Sequence, residues 1–190
     1  MSAVVISGNT SGSITLDAPA VAGSTTYTLA AVSGTISPLV SGTAQASTSG
    51  TSIDFTDIPS WAKRITVMFD GVSTNGASNV QVQLGDSGGI ETSGYLGESS
   101  FTGGGTSKAS STTGMVISLG GIASSRTGLM TFYNFNGNIW TQGHTISDYG
   151  IGSAVGAGSK TLSAILDRIR ITTVNGTDTF DAGSINIMYE

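Results

Sequence analysis

The side chains that most often perform catalysis are scarce in this chain. It contains one histidine, His144, and no cysteine. A Cys–His pair is therefore impossible, and a Ser–His–Asp triad would have to use His144 as its base. His144 lies in the segment QGHT at the end of a predicted strand, where an ordinary polar role is the alternative. We predict a protein that is not an enzyme and that needs no cofactor.

Two pairs of aspartates have spacings that occur in functional sites. Asp54 and Asp57 could act as the paired carboxylates of a glycoside hydrolase, but beside Pro59 they also suit turn caps. Asp178 and Asp181, in NGTDTFDAG, could supply oxygen ligands to Ca²⁺. Asp and Asn are equally favoured in turns for backbone reasons. We favour the turn role for both pairs and assign no catalytic, metal-binding or cofactor-binding residue.

A segment rich in Gly, Ser and Thr, GESSFTGGGTSKASSTTG (97–114), predicts a long flexible loop. Loops of this length are usually functional or mobile. Tyr95, Phe101 and Lys108 in this region are candidate contacts for a host glycan, because sugars stack on aromatic rings. The alternative is an exposed loop without a ligand.

The stretch from Trp61 to Leu84 shows the alternation of strands that bury one face. Apolar and polar residues alternate over 65–70 and again over 79–84, and GVSTNGAS lies between the two runs. This pattern predicts a β-hairpin with one apolar and one polar face. We interpret the Lys63 and Arg64 pair and the Gln81 and Gln83 face as a solvated or inter-subunit surface.

The segment from Leu129 to His144 is apolar on both faces. An Asn136-Gly137 pair between its two halves is a strong hairpin signal. One face of the first half carries Leu129, Tyr133 and Phe135, and the other carries Met130 and Phe132. Each apolar face of such a strand must pack against another surface. Met130, Phe132 and Trp140 are candidate subunit-interface residues, because Met and aromatic residues are enriched at such interfaces; the alternative is that they fill the core of one chain.

Composition limits the class of protein. Charged residues make up 10% of the 190 residues, against roughly 25% in an ordinary soluble domain. The net charge of −5 argues against a nucleic-acid partner, which usually requires a basic face. The N-terminal residues show neither the basic region nor the apolar core of a secretory signal, and no apolar run approaches the ~20 residues of a membrane-spanning helix. We therefore expect neither secretion by a signal peptide nor membrane insertion.

Many short alternating segments separated by Gly, Pro and Asn predict an all-β protein. We expect an antiparallel β-sandwich, resembling a jelly roll, over residues 44–190. Residues 1–43 predict a short N-terminal β block with strands near 4–6, 14–16 and 27–29. Three short strands bury little apolar surface, so this block needs a partner.

Three segments resemble proteins of tailed bacteriophages. SGNTSGSITLDAPAVAGSTTYTLAAVSGTI (7–36) resembles short repeats near the N-termini of fibre and other virion surface proteins. IDFTDIPSWAKRITVMFDGVSTNG (53–76) and LDRIRITTVNGTDTFDAGSINIMYE (166–190) are similar to the body of the same proteins. No motif in 85–160 matches.

The resemblance implies a homotrimeric structural protein of the virion, assembled in the host cytoplasm and displayed on the capsid or tail. Its N-terminal block would attach to other virion proteins, namely the major capsid or tail proteins, and its exposed parts would be able to contact a host-surface glycan. The shortness of the chain favours a capsid decoration or head-fibre protein, with a short tail fibre next. The alternative class is a carbohydrate-binding module that recognises host polysaccharide.

Overall fold

The computed structural model describes residues 4–7, 11, 13–16, 37–119 and 124–190. The chain divides into two compact units, Met1–Ile36 and Ser37–Glu190. In the first unit, β1 (Val4–Ser7) pairs antiparallel with β2 (Ser13–Leu16), and Val4 lies opposite Leu16. The strand predicted near 27–29 lies outside the described residues.

The second unit is built from antiparallel strands. They are β3 (Val40–Ser41), β4 (Gln45–Ala46), β5 (Ser52–Phe55), β6 (Arg64–Thr74), β7 (Val80–Asp86), β8 (Gly89–Ile90), β9 (Tyr95–Gly103), β10 (Thr106–Ser111), β11 (Met115–Val116), β12 (Arg126–Asn136), β13 (Ile139–Asp148), β14 (Gly152–Thr161), β15 (Leu166–Thr173) and β16 (Phe180–Tyr189). The described residues form no helix, and so none that could span a membrane. The predicted all-β, antiparallel class is confirmed.

These strands form two sheets. The large sheet has nine strands in the order β10-β9-β14-β13-β12-β6-β16-β3, with β4 also paired to β16. The small sheet has five, in the order β11-β7-β15-β5, with β8 also paired to β7. Because β3 pairs with β16 through Ser41 and Met188, residues 37–43 belong with the second unit. The sequence placed the division after residue 43, whereas the structure has it after residue 36.

The core of the second unit lies between the two sheets. One continuous cluster joins Ile65 and Val67 of β6 with Val82 and Leu84 of β7 and Ile169 of β15. Each of these side chains is fully buried. The period-2 alternation explains this, since alternate side chains of a strand point to opposite faces of its sheet. The arrangement is that of a β-sandwich.

The predicted hairpin from Trp61 to Leu84 is wrong. β6 pairs with β12 and β16 in the large sheet, whereas β7 pairs with β15, β11 and β8 in the small sheet. The chain between them therefore crosses from one sheet to the other. The apolar rows of β6 and β7 face each other across the core rather than lying side by side. Alternation identifies the buried face of a strand, but it does not identify the neighbouring strand.

For two other segments, the structure confirms one prediction made from the sequence and corrects the other. The predicted hairpin around Asn136 and Gly137 is confirmed: β12 pairs with β13, and Gly137 adopts a φ of 53° at the turn. The segment 97–114, predicted as a flexible loop, instead contains most of the β9–β10 hairpin, in which Thr102 lies opposite Thr106. Ser and Thr suit an exposed strand pair as well as a loop, so composition did not distinguish the two.

Candidate functional site

Met130, Phe132 and Trp140 lie on the inner face of the large sheet. All three are buried and belong to the core cluster of this one chain. Their placement corresponds to the alternative interpretation, in which they fill the core, and it replaces the assignment of these residues to a subunit interface.

The opposite side of the same strands remains uncovered. We call the large-sheet surface formed by Met68, Leu96, Leu129, Tyr133 and Val155 the outer apolar face. Leu129 lies opposite Met68 on one side and Thr145 on the other, and Thr145 lies opposite Val155, so one row crosses four strands without a charged residue. Leu96, Leu129 and Val155 are 73%, 51% and 52% exposed. The second apolar face of β12, which the sequence indicated, is thus open to solvent.

Tyr95, predicted as a glycan contact, is an internal anchor instead. Its ring is fully buried, and its hydroxyl accepts a hydrogen bond from the Leu84 N–H at 2.6 Å. The same oxygen lies 3.1 Å from the Leu84 carbonyl and 2.9 Å from the Glu91 carbonyl. Burial raises the pKa of Tyr95 well above its ordinary value. The Lys160 ammonium lies 5.2 Å from the ring centre and forms an ion pair with Glu91.

The other two predicted glycan contacts do not converge with Tyr95. Phe101 is partly buried and packs against the core, whereas Lys108 is exposed and forms an ion pair with Glu98 at 3.0 Å. Lys108 lies opposite Ser100, the neighbour of Phe101, so the two side chains point to opposite faces of the sheet. Tyr95, Phe101 and Lys108 therefore form no common surface.

His144 lies within β13 and forms part of a buried polar cluster. Its Nε2 is 3.0 Å from the Ser99 hydroxyl, and its Nδ1 is 3.2 Å from the Gln142 side-chain oxygen. Burial lowers the pKa of His144 to about 4. Ser99 is itself buried and accepts a hydrogen bond from the Ser118 N–H at 3.0 Å. The Ser–His contact resembles part of a triad, but the hydroxyl is enclosed and an amide, rather than a carboxylate, contacts Nδ1.

Asp178 stabilises the connections between the two sheets. Its carboxylate accepts hydrogen bonds from the Asn175 side-chain amide at 2.6 Å and from the Ser78 N–H at 3.0 Å. The Asn175 bond and then the Ser78 bond lower the pKa of Asp178. Asp181 accepts a separate hydrogen bond from the Ser73 hydroxyl. Within the part of the chain that is described, no three acidic or histidine side chains are grouped as metal ligands, and the turn role accounts for Asp178.

Asp54 and Asp57 have separate roles. Asp54 forms a two-pronged ion pair with Arg170, with both N···O distances 2.7 Å, and this bond raises the pKa of Arg170. Asp57 adopts a φ of 61° and accepts a hydrogen bond from the Thr56 hydroxyl at 2.9 Å. A residue with positive φ is typical of a tight turn. The paired-carboxylate interpretation has no support from this geometry.

Sequence reasoning missed a depression on the outer face of the small sheet. Its volume is about 350 Å³, and its lining includes Gln81, Gln83, Arg170 and Thr172. Gln81 and Gln83 are only 2% and 6% exposed, although the sequence predicted a solvated or inter-subunit surface. The sequence does show two uncharged glutamine side chains on the polar face of a strand. That pattern does not indicate that these side chains are enclosed by other parts of the chain.

Comparisons of the chain with protein-family models, with curated proteins and with solved structures find no match.

Proposed function

We propose that this protein is a non-enzymatic structural component of a bacteriophage virion surface and that it assembles as a homotrimer. The N-terminal unit attaches the chain to capsid or tail proteins, and the sandwich is displayed outside the particle. We prefer a capsid decoration or head-fibre role to a short tail fibre. We also propose that the strands of the sandwich are connected as in a jelly roll. The observation that carries the proposal is the outer apolar face.

The outer apolar face is suited to contact with copies of the same chain. Large contiguous apolar patches on monomeric proteins are uncommon and often mark interaction sites. Removing apolar surface from water stabilises a contact by about 25 cal/mol per Å². Near this face, Arg64 with Glu190 and Lys108 with Glu98 are paired within the chain, and Asp70, two residues after Met68, is the exposed carboxylate without an ion pair among the described residues. Most of the charge near this face is therefore already matched, which favours another copy over a strongly charged partner.

Two further features support a displayed, assembled role. Residues 1–36 form a compact unit separate from the sandwich, as an attachment block requires. Charged residues are only 10% of the chain, and the exposed strand surfaces rely on Ser and Thr. The packing of His144, the ion pair of Asp54 and the turn contacts of Asp178 support the proposed non-enzymatic role.

The solution mass of the full chain tests the assembly. Light scattering is expected to give three times the 19.1-kDa chain mass. Leu129→Glu places a charge in the outer apolar face and should yield monomers that retain their β-structure by circular dichroism. Ile165→Glu, at a residue 61% exposed and outside that face, is the matched control and should remain trimeric. A monomeric wild-type chain, or a trimer unaffected by Leu129→Glu, would contradict the proposal. Sedimentation of the chain with intact particles tests its place in the virion.

A further inference from the structure

We propose that the depression on the outer face of the small sheet is a binding site for the end of an uncharged oligosaccharide, with Gln81 and Gln83 as its principal contacts. This activity goes beyond the structural role proposed above and does not depend on it.

The strand register places polar side chains in two parallel rows across the small sheet. In one row Thr172 lies between Ser52 and Gln81, and in the next Arg170 lies between Asp54 and Gln83. Adjacent strands are about 4.8 Å apart, so each row extends about 10 Å across three strands. The volume of about 350 Å³ is at the lower end of the range for ligand pockets, roughly 300–1,000 Å³. The site therefore suits a small terminal group.

The end of β10 and the segment after it fix the orientation of both amides. The Gln81 side-chain oxygen accepts hydrogen bonds from the hydroxyls of Ser111 at 3.3 Å and Thr113 at 3.1 Å. The Gln83 side-chain nitrogen donates to the Thr113 carbonyl at 2.8 Å. These bonds leave Gln81 Nε2 as a donor and Gln83 Oε1 as an acceptor, neither bonded to another described residue. A donor and an acceptor, two residues apart, are thus held on the same face of one strand.

These two free atoms open onto the depression. Among the described residues, the enclosed side-chain N and O atoms without a partner are Arg126 Nε, Gln142 Nε2 and Asp148 Oδ2. Gln81 Nε2 and Gln83 Oε1 are not among them, although both side chains are more than nine-tenths buried. Each amide is therefore held rigidly while its unbonded atom faces solvent. A ligand that bonds to these atoms does not have to order either side chain, and ordering is a main cost of binding.

The electrostatics of the site favour a neutral ligand. Arg170, the charged residue of its lining, is already matched by the two-pronged bond to Asp54. An anion would have to compete with that carboxylate. Apart from Val174 and Gly176, the remaining lining residues carry hydroxyls and amides, which disfavour a wholly apolar ligand. A sugar hydroxyl both donates and accepts a hydrogen bond, so hydroxyls of one terminal sugar can bond to the Gln81 donor and to the Gln83 acceptor.

A microarray of neutral and acidic oligosaccharides, probed with the intact protein, tests the site. The wild-type chain should bind one or more neutral members. Gln81→Ala and Gln83→Ala should each weaken that binding at least about tenfold, since each removes a hydrogen bond from a partly enclosed site. Ser87→Ala, at an exposed turn residue after β7 and outside the lining of the depression, is the matched control and should bind as the wild type does. Thermal unfolding of each variant establishes that it is folded.

Asp54→Asn supplies a second test that leaves both glutamines intact. Removing the carboxylate frees the Arg170 guanidinium, so this variant should gain binding to acidic oligosaccharides at least about tenfold relative to the wild type. Binding of neutral members that depends on both glutamines, together with this gain, supports the proposal. A folded wild-type protein that binds no neutral member, that binds acidic members only, or whose binding is unchanged in both glutamine variants would overturn it. Failure of Asp54→Asn to gain acidic ligands would overturn the neutral specificity.

Discussion

At the scale of single residues, the protonation of His144 is coupled to folding. Burial lowers its folded-state pKa to about 4, whereas the unfolded chain retains a value near 6.5. Between these two pH values the unfolded state binds more protons, so the free energy of unfolding decreases as the pH falls from 6.5 towards 4. A difference of this size corresponds to about 3 kcal/mol.

Urea unfolding at several pH values, with His144→Gln as the comparison, measures this contribution. The wild type should lose stability over pH 6.5 to 4, and the variant should lose less over the same interval because it has no imidazole to protonate. The carboxylates titrate in both proteins, so the difference between the two curves isolates the histidine. Parallel curves for the two proteins would show that His144 is not buried in its neutral form.

Tyr95 makes a second residue-scale prediction. Tyr95→Phe leaves the buried Leu84 N–H without its 2.6 Å partner, and an unsatisfied buried donor costs about 1–3 kcal/mol. The free energy of unfolding in urea should fall by that amount. Tyr133→Phe removes a hydroxyl from a half-exposed ring and should change stability by less than about 0.5 kcal/mol. Equal effects of the two substitutions would contradict the anchoring role of Tyr95.

At the scale of elements, the β6–β7 and β15–β16 connections both cross between the sheets and are bonded to each other. Asn75 and Thr179 exchange two hydrogen bonds of 2.9 Å, and Asp178 bonds to Ser78 and Asn175. A Cβ atom at residue 76 would lie 2.0 Å from the Asp178 carboxylate, so only Gly76 admits this contact. The two connections act as one structural unit at one end of the sandwich.

Asp178→Ala should lower the free energy of unfolding in calcium-free buffer, since it removes the acceptor that joins the Ser78 N–H and the Asn175 side-chain amide. Asp70→Ala, at an exposed carboxylate of β6, is the control and should have little effect. Urea denaturation with and without added Ca²⁺ provides the measurement. If Asp178→Ala were destabilising only in the presence of calcium, the metal-ligand hypothesis would replace the turn role.

The same elements show how far sequence reasoning extends. The β12–β13 hairpin was predictable because its signal, Asn136 and Gly137, is local. The strands that pair with β6 were not predictable, because β12 and β16 lie far along the chain and alternation does not identify the neighbouring strand. Alternation also separated Met130 from Leu129, but it could not state which of two apolar faces is covered. Gln83 is enclosed by its contact with Thr113, which lies 30 residues along the chain. No local sequence pattern indicates such a contact.

At the scale of the whole molecule, the outer apolar face predicts how the assembly responds to salt. Charge attraction is screened at high ionic strength, whereas burial of apolar surface is not. The solution mass of the wild-type trimer should therefore stay constant between 0.1 and 1 M NaCl. Dissociation into monomers at 1 M NaCl would show instead that ion pairs hold the copies together, and the outer apolar face would lose its proposed role.

The number of copies of this chain in purified virus particles tests the structural role most directly. Quantitative mass spectrometry of gradient-purified particles, calibrated against the major capsid protein, gives that number. The account predicts a multiple of three, with dozens to hundreds of copies for a capsid decoration or head fibre and a few trimers for a tail fibre. Particles that contain no copies of the chain, while the infected cells contain it in quantity, would contradict the account.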